Sequence, residues 1–443
     1  MTGIKASDPK FKARCAEAVE KTDLQLAQLS AAWDAGDSLQ VKKIVSELLE
    51  GRDIKFRAAV EIMKEKGEKL KPKPTASRCY SVANTLSFFE KPNEHVEMFI
   101  REKADGSSRP VLNFGFRYRV AQRALVLVLS AIHRPQKFQY VHRGCKDAVL
   151  RAAQLIGDGN HFYAHLDIMK FYPSFTLSEL GQESALGGVL SPQTLDIFVI
   201  GRRLSIGKNA SDNDKSKLLG DHFTSSSTLM KREARRGIPT GSMLSSLIAP
   251  MMVSRMKLSQ EVQDHLVNYE DNFLLVASSE QELDAMVKEL EAAVKGIPGG
   301  QFKLAEKGTG KVDADDSANF LGHAIYVEKK KARISVSPAN HERFYERLEQ
   351  LDWNMPTHEE LKKMGYEKFK LIKEQSWAAS LQYIRAWKNA YSLCDRAEAM
   401  ACIAREKILA EIEGAGLKPN MFINKKTDSY FDFKEHFEFS GMS

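Results

Sequence analysis

At 443 residues the chain is too long for one compact core, so two or three domains are expected. Its 43% hydrophobic and 28% charged content is that of an ordinary globular protein, and no run of 18 or more apolar residues is present to span a bilayer. A net charge of +7 and a pI near 8.9 are too mild to single out a polyanionic partner on their own.

The chain opens Met1-Thr2-Gly3-Ile4-Lys5, without the apolar core of a signal peptide, and we expect a cytoplasmic protein. Residues 1–70 repeat apolar side chains at helical spacing, through Leu24, Leu26, Leu29 and Trp33 and again through Ile44, Leu48 and Leu49. Lys71-Pro72-Lys73-Pro74 breaks that pattern and sets the end of a helical region at residue 74. Residues 75–160 mix helix and strand. Residues 161–335 carry most of the strand signals, with helices between them. His161 and His165 stand four apart, a ligand spacing on a helix, but the segment reads as a strand in which both are packing residues. Residues 336–415 are again helical, and the tail 416–443 holds Phe422, Tyr430, Phe431, Phe433, Phe437 and Phe439 among charges. The cysteines (Cys15, Cys79, Cys145, Cys394, Cys402) are odd in number and scattered, which argues against a disulfide framework or a structural zinc site. Residues 201–236 hold nine Lys and Arg against four Asp and Glu, and read either as a solvated loop or as a phosphate-backbone contact.

Two runs carry chemistry. Ala164-His165-Leu166-Asp167-Ile168 alternates like a strand with Asp167 at its end, and Phe171-Tyr172-Pro173 then leaves it. Val267-Asn268-Tyr269 leads into a tight turn at Glu270-Asp271-Asn272, and Phe273-Leu274-Leu275-Val276 returns as an apolar strand. Two aspartates on adjacent strands form the smallest site able to hold two divalent ions over a phosphate. The Ile168 carbonyl would add another of the hard oxygens that Mg2+ requires. Taken singly, Asp167 reads as a turn or cap residue and the Asp271 segment as an ordinary hairpin. Between them lies Arg236-Gly237-Ile238-Pro239-Thr240-Gly241-Ser242, whose glycines would let a base pair approach the backbone. A helix with Leu244, Leu247, Ile248 and Met251 on one face follows, and Pro250 should kink or shorten it. A plain loop-to-helix cap is the alternative there.

In this order and spacing the three segments resemble the reverse transcriptase family. Asp167 to Tyr172 is similar to its first catalytic motif, Gly237 to Ser242 to its Gly-x-Pro-x-Gly-Ser motif, and Tyr269 to Asn272 to its Tyr-x-Asp-Asp motif. Arg101-Glu102-Lys103, Arg109-Pro110-Val111 and Arg119 to Leu125 resemble the fingers. Lys303 to Lys307 and Asn319 to His323 resemble the lysine segment and the primer-grip hairpin. The resemblance covers roughly residues 95–330. It implies an α+β right-hand polymerase fold: fingers at 75–160, a split-βαβ palm at 161–335 with a basic insertion at 201–236, a helical thumb at 336–415, and the tail. By the same resemblance Asp167, Ile168 and Asp271 would bind Mg2+, and Lys103 and Arg109 would hold the triphosphate. Tyr172 would exclude a ribose 2′-hydroxyl and so favour dNTPs. Thr240, Gly241 and Ser242 would line the nucleotide, Lys307 would protonate the leaving pyrophosphate, and Phe320, Leu321, Gly322 and His323 would grip the primer. Arg202, Arg203, Lys231, Arg232, Arg235 and Arg236 would contact a nucleic-acid backbone.

Two positions depart from the family. Thr240 replaces a Gln and reaches less far toward the nucleotide. Asn272 replaces a second Asp, and the lost charge is expected to weaken metal binding and to shift preference toward Mn2+. Glu270 could restore the charge, but its pleat direction should point it away. A stand-alone chain with a helical N-terminal region and a Tyr-x-Asp-Asn turn most resembles the bacterial antiphage, abortive-infection type. Members of that group often use a non-coding RNA as template or scaffold, prime on protein, or extend DNA without a conventional template. Some form homo- or hetero-oligomers, including pairs of reverse transcriptases. The contrasting reading is a degenerate polymerase scaffold that binds RNA or supports an active partner.

Overall fold

The computed structural model describes residues 7–66, 70, 73–102, 108–207, 223–353, 366–394, 396–414, 423–424 and 429–430. They gather into two compact units, each drawn from three stretches of chain. One takes residues 1–139, 167–260 and 288–305, and the other 140–166, 261–287 and 306–443.

Helices α1 (Pro9–Asp34), α2 (Ser38–Glu50) and α3 (Arg52–Lys66) open the first unit. Asp8 starts α1 by accepting the Lys10 N–H at 2.8 Å, and Pro9 takes a first-turn position where no N–H is needed. Asp37 caps α2 through the Gln40 N–H at 3.0 Å. The apolar stripe of α1 runs through Phe11, Ala18, Thr22 and Leu29, whereas Leu24 is 64% exposed. Seven-residue steps keep one helix face, and Leu24 falls off it. Thr22 can be buried there because its hydroxyl donates to the Ala18 carbonyl at 2.8 Å.

The predicted break at 71–74 falls between α3 and α4 (Ala76–Thr85); Lys71 and Pro72 lie outside the described residues. Strands β1 (Glu97–Glu102) and β2 (Ser108–Asn113) form an antiparallel ribbon. Helix α5 (Phe116–Ile132) buries Tyr118, Val120, Leu125, Val128 and Leu129, and packs against α1, α2 and α3. It has no cap of its own. The Glu94 carboxylate accepts the Tyr118 N–H at 3.2 Å and occupies the space that a Cβ on residue 115 would fill, so Gly115 leaves room for it.

The second unit is built on a four-stranded sheet of β3 (Phe162–Ile168), β4 (Leu266–Tyr269), β5 (Asn272–Ala277) and β6 (Leu304–Lys311). Its strand order is β4-β5-β3-β6. The last two residues of β3 and the first two of β6 count with the first unit. Phe273 to Ala277 of β5 are all buried, which is why that strand reads as a continuous apolar run. A second sheet runs β7 (Ala318–Phe320), β8 (His323–Glu328), β9 (Lys331–Val336), and helix α6 (Cys145–Gly157) packs on strands of both. Their shared core holds Val149, Ile156, Val267, Leu274, Phe320 and Ile325.

Helix α7 (Phe171–Ser174) follows β3, and α8 (Phe223–Ala234) and α9 (Ser245–Val253) belong to the first unit. Pro250 lies inside the short α9, as expected, and its carbonyl accepts from Gln139 Nε2 at 2.9 Å. Helix α10 (Glu280–Lys295) follows β5. Beyond β9, helices α11 (Pro338–Trp353), α12 (Tyr366–Ala390) and α13 (Ala397–Gly414) share a core of Phe344, Ile384, Trp387, Ala397 and Ala401, in which the Phe344 and Trp387 rings are 4.2 Å apart. Of the aromatic tail only Tyr430 is described, in the short ribbon Ile423–Asn424 with Ser429–Tyr430; the others lie outside the described residues. Among the described residues no helix is long and apolar enough to cross a membrane.

Candidate active site

Asp167 is the sixth residue of β3, half-buried, and the buried Ile168 ends the strand. Asp271, also half-buried, lies in the two-residue turn between the paired Tyr269 and Asn272. Left-handed residues adjoin both: Lys170 (φ 47) after β3, and Glu270 (φ 55) directly before Asp271. Such conformations are costly for a side-chain-bearing residue and persist only when braced. The brace of the turn is Asn268, fully buried, whose Nδ2 donates to the Glu270 carbonyl at 3.0 Å and the Asn272 carbonyl at 3.1 Å. Glu270 is a turn residue, as the sequence reading of a tight turn at 270–272 expected, so a pleat direction does not apply to it.

β3 and β5 are neighbours in the sheet, and His165 Nε2 and Asn272 Oδ1, 3.4 Å apart, link the middle of β3 to the start of β5. Asn272 Nδ2 in turn donates to Asp271 Oδ1 at 3.0 Å. A carboxylate only accepts, so the amide must donate to Asp271, and its oxygen then takes the proton on His165 Nε2. The His165 ring also meets Phe320 edge-on at 5.6 Å, the packing role its strand position predicted.

The Gly237–Ser242 loop belongs to the first unit. Gly237 has φ 57, and a Cβ there would stand 2.0 Å from the Tyr172 carbonyl oxygen, which accepts the Ile238 N–H at 3.0 Å. Gly241 has φ 97, with a Cβ site 2.1 Å from the Leu112 carbonyl oxygen. Both glycines are therefore dictated by backbone approach. Thr240 is half-buried and its carbonyl accepts the Leu112 N–H at 2.8 Å, which ties the loop to β2; Ser242 is buried. Tyr172 is half-buried, in α7.

Lys103 lies outside the described residues. Arg109, exposed on β2, stands directly opposite the exposed Arg101 of β1. Like charges facing each other across a ribbon repel, and an anion bound between them would relieve that cost. Lys307 is exposed on β6 in the second unit. Leu321 and Gly322 (φ 49 and 81) form the two-residue turn joining β7 to β8, the type I′ geometry that suits a hairpin. His323 is 2% exposed; Nδ1 donates to the Leu321 carbonyl at 3.0 Å, and burial holds its pKa below the ordinary 6.5. Of the basic segment, residues 208–222 lie outside the described part. Arg202 and Arg203 pair with Asp196, Arg236 pairs with Glu233, Arg235 donates to the Leu204 carbonyl, and Lys231 and Arg232 end α8.

Sequence reasoning missed the supports. Gln122 of α5, 1% exposed, accepts the Met243 N–H at 3.4 Å behind the glycine loop; Arg119 donates to the Phe114 carbonyl and Asn113 Oδ1, both at 2.6 Å. His165, Asn268 and Asp196 were likewise given no site role. Among the described residues no group of three or more His, Cys, Asp or Glu is placed to hold a metal ion. Asp167 with the Ile168 carbonyl, and Asp271, each offer the hard oxygens that Mg2+ takes, with water and substrate phosphate filling the rest of its shell.

Residues 100–325, about half of the chain, match the family described as reverse transcriptase (RNA-dependent DNA polymerase). Among solved structures the chain is similar to the Sicinivirus 3Dpol RNA dependent RNA polymerase, at 12% identity and a TM-score of 0.34, over 75% of this chain and 65% of that one. No curated protein matches the chain.

Proposed function

The chain belongs to the reverse transcriptase family of nucleotidyltransferases, and on that footing we propose that it is an RNA-directed DNA polymerase whose site is formed by Asp167 and Asp271. One observation carries the reading: β3, which bears Asp167, neighbours β5, which the Asp271 turn leads into, and a hydrogen bond from His165 in the middle of β3 reaches Asn272 at the start of β5. Bound Mg2+, or Mn2+, would activate the primer 3′-hydroxyl and neutralise charge on the triphosphate. The chain's own residues do the positioning. Asp167, the Ile168 carbonyl and Asp271 would hold the ions. Arg109 takes the triphosphate, together with Lys103. Tyr172 stands against a 2′-hydroxyl, so dNTPs are preferred. Gly241, Thr240 and Ser242 form a close-approach surface for the nucleotide, and Lys307 gives a proton to the leaving pyrophosphate oxygen. The Phe320–His323 hairpin seats the primer.

The helices ahead of the fingers and the Tyr-x-Asp-Asn turn support placement with the bacterial antiphage members. Such an enzyme would work in the cytoplasm with a non-coding RNA as template or scaffold, release a DNA product, and assemble with itself or a second reverse transcriptase.

The test is incorporation of labelled dNTPs and NTPs by the purified chain, with Mg2+ or Mn2+ and with or without RNA. We expect dNTP incorporation that Asp167→Asn and Asp271→Asn each abolish. Incorporation unaffected by either substitution would overturn the site. No incorporation by a folded chain that still retains RNA would favour the scaffold reading.

A further inference from the structure

The first unit carries a cationic surface organised by one buried carboxylate. Asp196 sits in the π-helical turn Leu195–Val199 with its side chain 6% exposed. A buried charge needs partners, and Asp196 has two. Arg202 reaches it with Nε and Nη2, each at 3.1 Å, and Arg203 with Nε at 2.5 Å. Two guanidiniums against one carboxylate leave a positive charge over. Both arginines stay open, at 62% and 54% exposed, and a guanidinium has five N–H donors, so outward-facing donors remain on each.

The neighbouring chain extends the surface. The Gly201 N–H donates to the Gly237 carbonyl at 3.0 Å, and a Cβ at 201 would lie 2.9 Å from the Ala234 carbonyl oxygen. Arg235 Nε donates to the Leu204 carbonyl at 3.2 Å. Arg202, Arg203, Arg235 and Arg236 are thus gathered beside the Gly237–Ser242 loop, with Glu233 the acidic partner of Arg236. A merely solvated patch needs no organiser. Burying a carboxylate costs desolvation, and what it gives here is a fixed orientation for two side chains that would otherwise sample many rotamers.

We propose that Asp196 is the positioning residue of an arginine clamp, Arg202 and Arg203, that grips the phosphodiester backbone of the RNA strand. The identity of the partner rests on the polymerase reading; the clamp rests on the geometry. Arginine's planar fork matches a phosphate, which makes it more than a point charge.

The two explanations differ in sign. Asp196→Asn removes a negative charge, so a surface acting through net charge alone would bind nucleic acid more tightly. A clamp would lose its orientation and bind about tenfold more weakly. Binding of short single-stranded RNA and of DNA of the same sequence to the full chain, by fluorescence anisotropy over a salt series, reads this. Arg202→Gln and Arg203→Gln should each weaken RNA binding and lower the salt slope by about 0.7. Should Asp196→Asn prove unfolded by circular dichroism, Arg202→Lys with Arg203→Lys decides instead: charge is kept and the fork is lost, so the clamp predicts weaker binding at an unchanged slope. Tighter or unchanged RNA binding in the folded variants overturns the proposal, and an effect confined to DNA overturns the assignment to RNA. Wild-type dNTP incorporation, measured in parallel, separates failure of the clamp from failure of the polymerase reading.

Discussion

At Asp271 the amide of Asn272 takes the place of a carboxylate. Its Nδ2 donates to Asp271 Oδ1 at 3.0 Å, which orients the carboxylate while adding no charge for a metal ion. Hydrogen bonds to charged groups contribute about 1.5–3 kcal/mol, so this one is large enough to fix a side chain. Asn272→Asp should lower the Mg2+ concentration for half-maximal incorporation and move the preference from Mn2+ toward Mg2+, because a second carboxylate strengthens the field at the ions. Asn272→Leu should raise it. Titrating both metals against all three proteins checks this, and identical titrations would remove the role given to the amide. The strand end at Asp167 and the tight turn at Asp271 were legible in the sequence because both are local patterns. The His165 to Asn272 bond, the Gln122 to Met243 bond and the double pairing of Asp196 were not. The first two join residues more than a hundred positions apart, and a π-helical turn leaves no periodicity to read.

Among the elements, the glycine loop and the β7–β8 hairpin make the sharpest predictions. Gly237→Ala forces a Cβ against the Tyr172 carbonyl at a left-handed φ, which should cost at least about 3 kcal/mol from backbone strain and overpacking together. A melting temperature within a degree or two of wild type would show that the loop relaxes instead. In the hairpin, His323 is neutral because burial holds its pKa below 6.5. The unfolded chain therefore takes up the proton first as pH falls, and stability declines as pH drops below about 6.5. Thermal melts of wild type and His323→Gln from about pH 7.5 to about pH 5.5 should show a smaller fall for the variant. The hairpin was expected at Asn319 to His323 only through the family resemblance, because Leu321-Gly322 is not one of the favoured hairpin turn pairs. The stripe on α1 was misjudged at Leu24 because the burial follows Phe11, Ala18, Thr22 and Leu29, and a buried Thr does not register as apolar.

At the scale of the whole molecule, the chain passes repeatedly between its two units, so linear boundaries such as 74, 160 and 335 describe motifs better than compact bodies. The N-terminal helices illustrate this: α1, α2 and α3 pack on α5, which the family resemblance assigned to the fingers. Deleting residues 7–66 should uncover that face of α5 and yield a chain that aggregates or melts well below wild type by size exclusion and calorimetry. A truncated chain of unchanged stability would make the region an appendage. The central claim is that Asp167 and Asp271, separated by about a hundred residues of sequence, serve a single reaction centre. The most direct measurement is RNA-templated dNTP incorporation by Asp167→Asn, Asp271→Asn and the double variant. Residues that act as one unit are non-additive, so each single substitution should bring the rate to the floor set by the double. Single variants whose losses multiply to give the double would contradict a shared centre.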